Sequence, residues 1–263
     1  MVALNVSRNA LTSTIPSEFG NQLPRLQIID LSSNQLNGTL PPSLGNASAL
    51  VVLSVFNNSL SGPIPTEYVG RQLGKLKVLN TGSNQLYGTV PAIQGLSQLK
   101  QLSLGSNTLH GALPSMGTMQ QLEVLDLHDN GFQGGIPQSL YNHSTLRYLL
   151  LHQNALSGSV ALLPPGLIMV LLHDNRFSGQ LPSFSSQHEL AWLTVFNNQF
   201  GGALTLPTNA RLHLLFAQSN RLSCNIVAPN TSGTNPIALP GNAFNGPPPV
   251  SLQLSTRSLL PDL

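Results

Sequence analysis

The stretch LEVLDLHDNGFQGGIPQSL, residues 122–140, carries the pattern that decides the fold. Leu125 and Leu127 alternate with polar residues, which is the period of two expected of a strand with one buried face. The alternation ends at Asn130, where an aromatic residue, a glycine and an aliphatic-proline pair follow. Taken alone, the stretch predicts one short strand and a polar turn.

The same pattern recurs along nearly the whole chain. When the copies are aligned on the asparagine, successive asparagines are 21 to 26 residues apart, and each is followed two positions later by Leu or Phe. One repeat of this length cannot bury its apolar side chains alone, so the repetition predicts units that stack side by side. The aligned asparagines are Asn9, Asn34, Asn58, Asn84, Asn107, Asn130, Asn154, Asn175, Asn198, Asn220 and Asn242.

This spacing resembles the leucine-rich repeat. After Asn-x-Leu the chain adds Gly-x-[Ile/Val/Leu]-Pro, as in IDLSSNQLNGTLPPSLGN (29–46), LSVFNNSLSGPIP (53–65) and LDLHDNGFQGGIP (125–137). These segments resemble the plant-specific class of repeats in the ectodomains of receptor-like kinases, in receptor-like proteins and in polygalacturonase-inhibiting proteins. Similar repeats occur in surface antigens of kinetoplastid protists.

The resemblance implies a right-handed leucine-rich repeat solenoid of the α/β horseshoe class, with about 11 repeats. Short parallel β-strands would line its concave side, and 3₁₀ or irregular segments would form its convex side. We expect one domain over residues 1–246, truncated at both ends because no protective cap is recognisable, and a Pro-rich tail over residues 247–263.

The asparagines of such a stack point inward, where a buried amide requires hydrogen-bond partners. We expect those partners to be backbone groups of the turns in the same and the adjacent repeats. This structural ladder is predicted at Asn34, Asn58, Asn84, Asn107, Asn130, Asn154, Asn175, Asn198 and Asn220.

Composition and motifs argue against several function classes. The net charge is only +2 and the basic residues are scattered, so no nucleic-acid-binding stripe is present. Phosphate loops, nucleophile elbows and His-Glu-x-x-His motifs are absent, so we expect no enzyme and no cofactor here, although a kinase domain could exist outside this fragment. The single cysteine, Cys224, is either a small buried residue or pairs with a cysteine of another chain.

Side chains between the buried strand residues face outward on the concave side. In the second half of the chain these positions become large and apolar, and such surfaces, with Trp and Tyr, often mark binding sites. The alternative is ordinary aliphatic padding, partly covered by a missing segment. This candidate patch comprises Tyr148, Leu150, His152, Met169, Leu171, His173, Trp192, Thr194, Phe196, Leu214 and Phe216.

Three histidines, His128, His152 and His173, fall in one column of successive repeats. Imidazole binds zinc or copper, but a flat sheet splays its side chains apart and a tetrahedral site needs convergence, so no metal is predicted. Ordinary surface histidines are the simpler interpretation. A pH-sensitive surface is the alternative, because histidine titrates near pH 6.5, an approximate reference value.

Asn-x-[Ser/Thr] sequons are consistent with secretion, although the abundance of these residues produces such matches by composition alone. The candidate N-glycosylation sites are Asn37, Asn46, Asn142 and Asn230.

These features predict a non-enzymatic recognition module at the cell surface. The resemblance implies the extracellular domain of a receptor-like protein that binds a protein, peptide or glycan through its concave face. The alternative is a structural or adhesive surface protein, or a wall-associated inhibitor, without a signalling role. No nucleic-acid partner and no membrane span are expected in this chain, and membrane attachment would lie elsewhere in the full-length protein.

Overall fold

The computed structural model describes residues 1–69, 71–184, 187–204, 212–223, 237–238 and 240–243. Successive repeats each add one short strand to a parallel main sheet of eleven strands, which follow one another in chain order. These strands are Ala3–Asn5, Ile28–Asp30, Val52–Ser54, Val78–Asn80, Gln101–Ser103, Val124–Asp126, Tyr148–Leu150, Met169–Leu171, Trp192–Thr194, Leu214–Phe216 and Ile237–Ala238.

A second parallel sheet runs along the solenoid and has eight strands. Its strands are Ser61–Gly62, Gln85–Thr89, Thr108–Ala112, Gly131–Gly134, Ala155–Ser159, Arg176–Gln180, Gln199–Gly202 and Arg221–Leu222. Near the start of the chain, Thr12–Thr14 pairs with Gln35–Asn37 in a separate two-stranded sheet. The segment after the ladder asparagine is therefore extended, as the glycine-proline pattern predicts.

The chain returns to the main sheet through short helical or irregular segments. One four-residue α-helix spans Phe19–Gln22. The 3₁₀ segments are Pro42–Asn46, Thr66–Val69, Arg71–Leu73 and Gln138–Leu140. The predicted solenoid of short parallel strands with 3₁₀ and irregular returns is confirmed.

The register of the main sheet places equivalent residues side by side. Leu125 pairs with Leu102 on one side and with Leu149 on the other. All three side chains are fully buried in one continuous apolar core. Because each turn repeats the same register, residues at one position of the repeat form rows across the sheet.

Two positions of the repeat have positive φ, one in the turn between the two strands and one in the second strand. Asp129 has a φ of 49°, and serine, asparagine, glutamine, arginine or aspartate takes the same left-handed conformation before the other ladder asparagines. Four residues after Asn130, Gly134 has a φ of 79°, a conformation that glycine adopts without steric cost. Ser13 stands at the equivalent position of the first repeat and also has a φ of 79°.

Three features of the sequence fall outside the described residues: Cys224, the sequon at Asn230 and the tail over residues 247–263. Within the part that the structure describes, no helix is long and apolar enough to cross a membrane.

Candidate functional site

The face of the main sheet opposite the core is called here the open face. It presents three rows of side chains, because the first and third residue of each strand and the second residue after the strand all point away from the core. One such row runs Gln101, Val124, Tyr148 through the pairing register, and the next runs Ser103, Asp126, Leu150. Groups from successive repeats are thereby brought together, although they lie more than 20 residues apart in the chain.

A pocket of about 300 Å³ opens on this face, near the middle of the solenoid. Its size is at the lower end of the range for small-ligand pockets and suits one side chain of a larger ligand. The lining combines aromatic, aliphatic, amide and carboxylate groups. It consists of Phe56, Asn80, Gly82, Gln101, Ser103, Gly105, Val124, Asp126, His128, Tyr148 and Leu150.

Two glycines create the pocket. In the row that follows the strands, Gly82 and Gly105 lie between Phe56 and His128, so two side chains are missing between two rings. A Cβ atom on Gly105 would lie 2.3 Å from His128 Nδ1, and one on Gly82 would lie 3.4 Å from Phe56 Cδ2. Both rings therefore lean over the glycine backbone, and larger residues there would fill or distort the space.

One wall of the pocket holds a hydrogen-bonded pair. His128 Nδ1 donates to Asp126 Oδ1 at 2.6 Å, and the backbone N–H of His128 donates to the same oxygen at 3.3 Å. Partial burial lowers the pKa of His128, but the hydrogen bond and negative charge of Asp126, with the charge of Asp129, more than offset it and leave the pKa raised. Protonated His128 is therefore stabilised beside the pocket.

The histidine column continues from this wall as a stack of rings. The ring centroids of His128 and His152 are 4.8 Å apart, those of His152 and His173 are 4.4 Å apart, and those of His173 and Phe196 are 4.3 Å apart. His173 Nδ1 also lies 2.6 Å from the Thr194 hydroxyl. Stacking therefore holds the three histidines parallel, so they do not converge on one point as metal ligands would.

Burial keeps the middle of this stack uncharged. It lowers the pKa of His152 to about 3, with further lowering from the neighbouring imidazoles of His173 and His128. Burial also lowers the pKa of His173 to about 4, against the opposing charge of Asp174. These two residues are buried, so the expectation of ordinary exposed surface histidines is wrong for both.

The candidate patch lies on the open face, but its expected exposure is wrong for most of its members. Leu150, Met169 and Leu171 form a second apolar cluster, separate from the core, and their exposed fractions are only 6%, 3% and 1%. Tyr148 and Trp192 pack against this cluster and remain half-buried. Large side chains on strands about 4.8 Å apart cover one another, which explains the low exposure.

The other members of the patch follow the same trend. His152, His173, Thr194 and Leu214 are buried. Phe196 and Phe216 are half-buried and meet edge to face, with centroids 6.4 Å apart. The patch therefore offers a surface of ring edges and apolar tips beside the pocket, and its half-buried large side chains are Tyr148, Trp192, Phe196 and Phe216.

The pocket itself was missed at the sequence level. Gly82 and Gly105 occupy outward positions of neighbouring repeats. They belong to the first half of the chain, where most outward side chains are small or polar, so the sequence alone did not set them apart. The available signal was the pair of glycines between two aromatic residues of the same row, Phe56 and His128.

Three of the four candidate N-glycosylation sites lie within the described residues. Asn37, Asn46 and Asn142 are exposed. Asn46 Nδ2 donates to Asn21 Oδ1 at 2.8 Å, so the nitrogen to which a glycan would be attached is already in a hydrogen bond. Within the described residues, no group of three or more His, Cys, Asp or Glu residues is arranged to hold a metal ion.

Comparison with known proteins agrees with this geometry. The family model described as Leucine Rich Repeat matches residues 1–22, 25–47 and 121–143. These segments are leucine-rich repeats, and the fold of the chain is similar to that of solved plant leucine-rich repeat receptor ectodomains.

Three similar proteins show the range of relatives. A probable LRR receptor-like serine/threonine-protein kinase of Arabidopsis thaliana is 43% identical over 61 residues, which are 23% of this chain and 6% of the kinase. The plant peptide hormone receptor RGFR1, solved in complex with RGF2, has a TM-score of 0.74 at 25% identity, over 93% of this chain and 48% of the receptor. A plant ice-binding protein has a TM-score of 0.74 at 26% identity, over 92% of this chain and 81% of that protein.

This chain corresponds to only part of the receptor and of the kinase. This chain spans about half of the receptor structure (48%), and the match to the kinase covers a still smaller share of it (6%). The similarity therefore concerns the repeats, and the activity of the larger proteins does not transfer with it.

Proposed function

We propose that this chain is the ligand-recognition part of a cell-surface, receptor-like protein, and that it binds an extended peptide or protein segment along the open face. The observation that carries the proposal is the pocket of about 300 Å³ on that face, directly beside the ring edges of the candidate patch. An extended segment needs this combination, because side-chain pockets give specificity and aromatic side chains give affinity.

The similarity to a peptide hormone receptor in complex with its ligand supports a peptide more than a glycan as the partner. An extracellular position, N-glycosylation at Asn37 and Asn142, and membrane attachment outside this chain belong to the same proposal. Asn37 and Asn142 are both exposed, as glycosylation requires.

The proposal is tested by selection from a library of random 12-residue peptides (a length that spans about eight strands of the sheet when extended) on the purified chain. We expect selected peptides to lose at least about tenfold in affinity on the double variant Trp192→Ala/Tyr148→Ala, since aromatic anchors dominate such interfaces. Tyr87→Ala is the matched control, because Tyr87 is 55% exposed on the second sheet, away from the open face. Selection of no peptide, or equal loss on the control, would contradict the proposal.

A structural or adhesive surface protein is the second candidate function. The observation in its favour is the similarity to the plant ice-binding protein, of which this chain covers a larger share than it does of the receptor. Ice-recrystallisation and thermal-hysteresis measurements separate the two candidates, because activity in these assays together with no selected peptide would favour the second.

A further inference from the structure

The open face is acidic although the chain as a whole is slightly basic. In the ten repeats whose strands run from Ala3–Asn5 to Leu214–Phe216, the outward positions contain no lysine or arginine. They contain two carboxylates, Asp30 and Asp126. A ligand that lies along these three rows therefore meets negative charge and no basic side chain from them, which favours a cationic group on the ligand.

The two carboxylates differ in what already bonds to them. Asp30 has both oxygens occupied, because Oδ1 accepts from the hydroxyl and the backbone N–H of Ser32, and Oδ2 accepts from Asn5 Nδ2 at 3.2 Å. Asp126 uses only Oδ1, in its pair with His128. Within the part of the chain that the structure describes, no hydrogen bond reaches Asp126 Oδ2, and Asp126 is one of the residues that line the pocket.

The rest of the pocket suits a flat cation with an alkyl stem. Gln101 Nε2 donates to Ser103 Oγ at 3.1 Å, which leaves the amide oxygen of Gln101 as a second acceptor. The ring of Phe56 leans over Gly82 and lines the pocket, and the face of an aromatic ring attracts a cation. Val124 supplies an apolar wall for methylene groups.

We propose that the pocket between Phe56 and His128 is an anchor site for one basic side chain, arginine above lysine, of the peptide that the open face binds. Asp126 Oδ2 accepts from the guanidinium, Gln101 Oε1 accepts a second hydrogen bond, and the alkyl stem lies against Val124. This inference rests on the proposed function, since it names the residue class that the peptide must carry. Arginine is preferred because its planar fork bonds to several acceptors and stacks on rings.

The site also sets a direction for the pH dependence of binding. The ligand cation and protonated His128 compete for the same carboxylate, so binding strengthens as pH rises and His128 loses its proton. The groups around His128 are Asp126 and Asp129 on its own repeat, the Ser106 hydroxyl on one side and the stacked His152 on the other. His152, with a pKa of about 3, stays neutral over this range and does not alter the direction.

The test uses small probes that need no native ligand. N-acetyl-arginine amide and N-acetyl-citrulline amide have nearly the same shape, but only the first is charged. Each is titrated by NMR into the wild-type chain, Asp126→Asn and Asp30→Asn at pH 7.5. Asp30→Asn is the matched control, because it removes an equal charge from the open face outside the pocket.

We expect saturable binding of the arginine probe to the wild-type chain, at least about tenfold weaker binding of the citrulline probe, and a similar loss on Asp126→Asn, as for removal of one partner of a charge pair. Asp30→Asn should bind like the wild type. Equal binding of both probes, equal effects of the two variants or no saturable binding of the arginine probe would overturn the anchor site.

The peptide selection distinguishes this failure from failure of the proposed function. Selected peptides that bind the open face without a basic residue would leave the proposed function standing and exclude the arginine anchor. Selection of no peptide, with the arginine probe still bound at Asp126, would retain the cation site and contradict the peptide-binding function.

Discussion

The side chain of Asn130 binds the turn before it through the backbone of Leu109, whose N–H donates to Asn130 Oδ1 at 2.9 Å. Asn130 Nδ2 donates to the carbonyl of Leu104 in that same earlier turn at 3.1 Å. Equivalent pairs of bonds recur from Asn34 to Asn220. The asparagine ladder thus joins each repeat to its predecessor with both ends of one amide.

Asn130→Ala is expected to lower the free energy of unfolding by about 1–3 kcal/mol, because it leaves the N–H of Leu109 without its acceptor and removes one of the two amide donors to the carbonyl of Leu104. Urea denaturation measures this change. Asn142→Ala is the matched control, since Asn142 is exposed and a surface change of this kind stays within about 0.5 kcal/mol. A ladder variant as stable as the parent would contradict the role of the amide.

Leu125→Ala is expected to destabilise the chain by about 2–5 kcal/mol, because it opens a cavity in a packed row. Leu125 is fully buried between Leu102 and Leu149 of the neighbouring strands. Leu162→Ala provides the comparison, since Leu162 is 63% exposed. Similar urea midpoints for the two variants would show that the buried leucine row of the main sheet does not stabilise the core.

Gly105→Ala is expected to move the ring of His128, because the added Cβ would lie 2.3 Å from His128 Nδ1. The ring would lose its bond to Asp126, so the pKa of His128 would fall from its raised value. NMR titration of the imidazole measures this shift. Gly135→Ala should leave the titration unchanged, because its nearest contact would be the Ser157 carbonyl oxygen at 3.7 Å.

Stability is expected to fall as the pH is lowered. His152 and His173 have pKa values of about 3 and 4 in the folded chain, below the usual 6.5. Between these values the two histidines are protonated in the unfolded chain and neutral in the folded chain. The loss begins below pH 6.5 and amounts to on the order of 3 kcal/mol between pH 7 and pH 5, at roughly 1.4 kcal/mol per pKa unit. His128, with its raised pKa, contributes in the opposite sense and loses stabilisation as the pH rises.

Urea denaturation of wild type and His152→Phe at several pH values checks this prediction. Phenylalanine keeps a ring in the stack between His128 and His173 but removes one titrating group. We therefore expect a shallower fall in stability at acidic pH for the variant. Parallel profiles for the two proteins would show that His152 titrates normally when folded.

The fold follows from the sequence because its determinants are local and repeated. The alternation around Leu125, the turn at Asn130 and the glycine with positive φ at position 134 recur in register, so one correctly interpreted repeat predicts the others. The second sheet was anticipated only as a short extended segment. Its pairing, such as Gly131 with His110, depends on how closely successive turns stack, which one repeat does not specify.

The site was less accessible to sequence reasoning because exposure on the open face is a property of neighbouring repeats. Leu171 occupies an outward position, yet the side chains on both adjacent strands cover it. The reverse holds at Gly82 and Gly105, where missing side chains expose a pocket floor. Periodicity predicts which side chains point outward. Whether such a side chain is exposed depends on the sizes of the side chains beside it in the neighbouring repeats, which are about 23 positions away in the sequence.

The most direct test of recognition by the open face is photo-crosslinking of a selected peptide, followed by mass spectrometric mapping. A photoreactive phenylalanine is placed at each peptide position in turn. We predict crosslinks to open-face residues such as Tyr148, Trp192 and Phe216. Crosslinks concentrated on the second sheet around Tyr87, or on the exposed Leu162, would contradict the account.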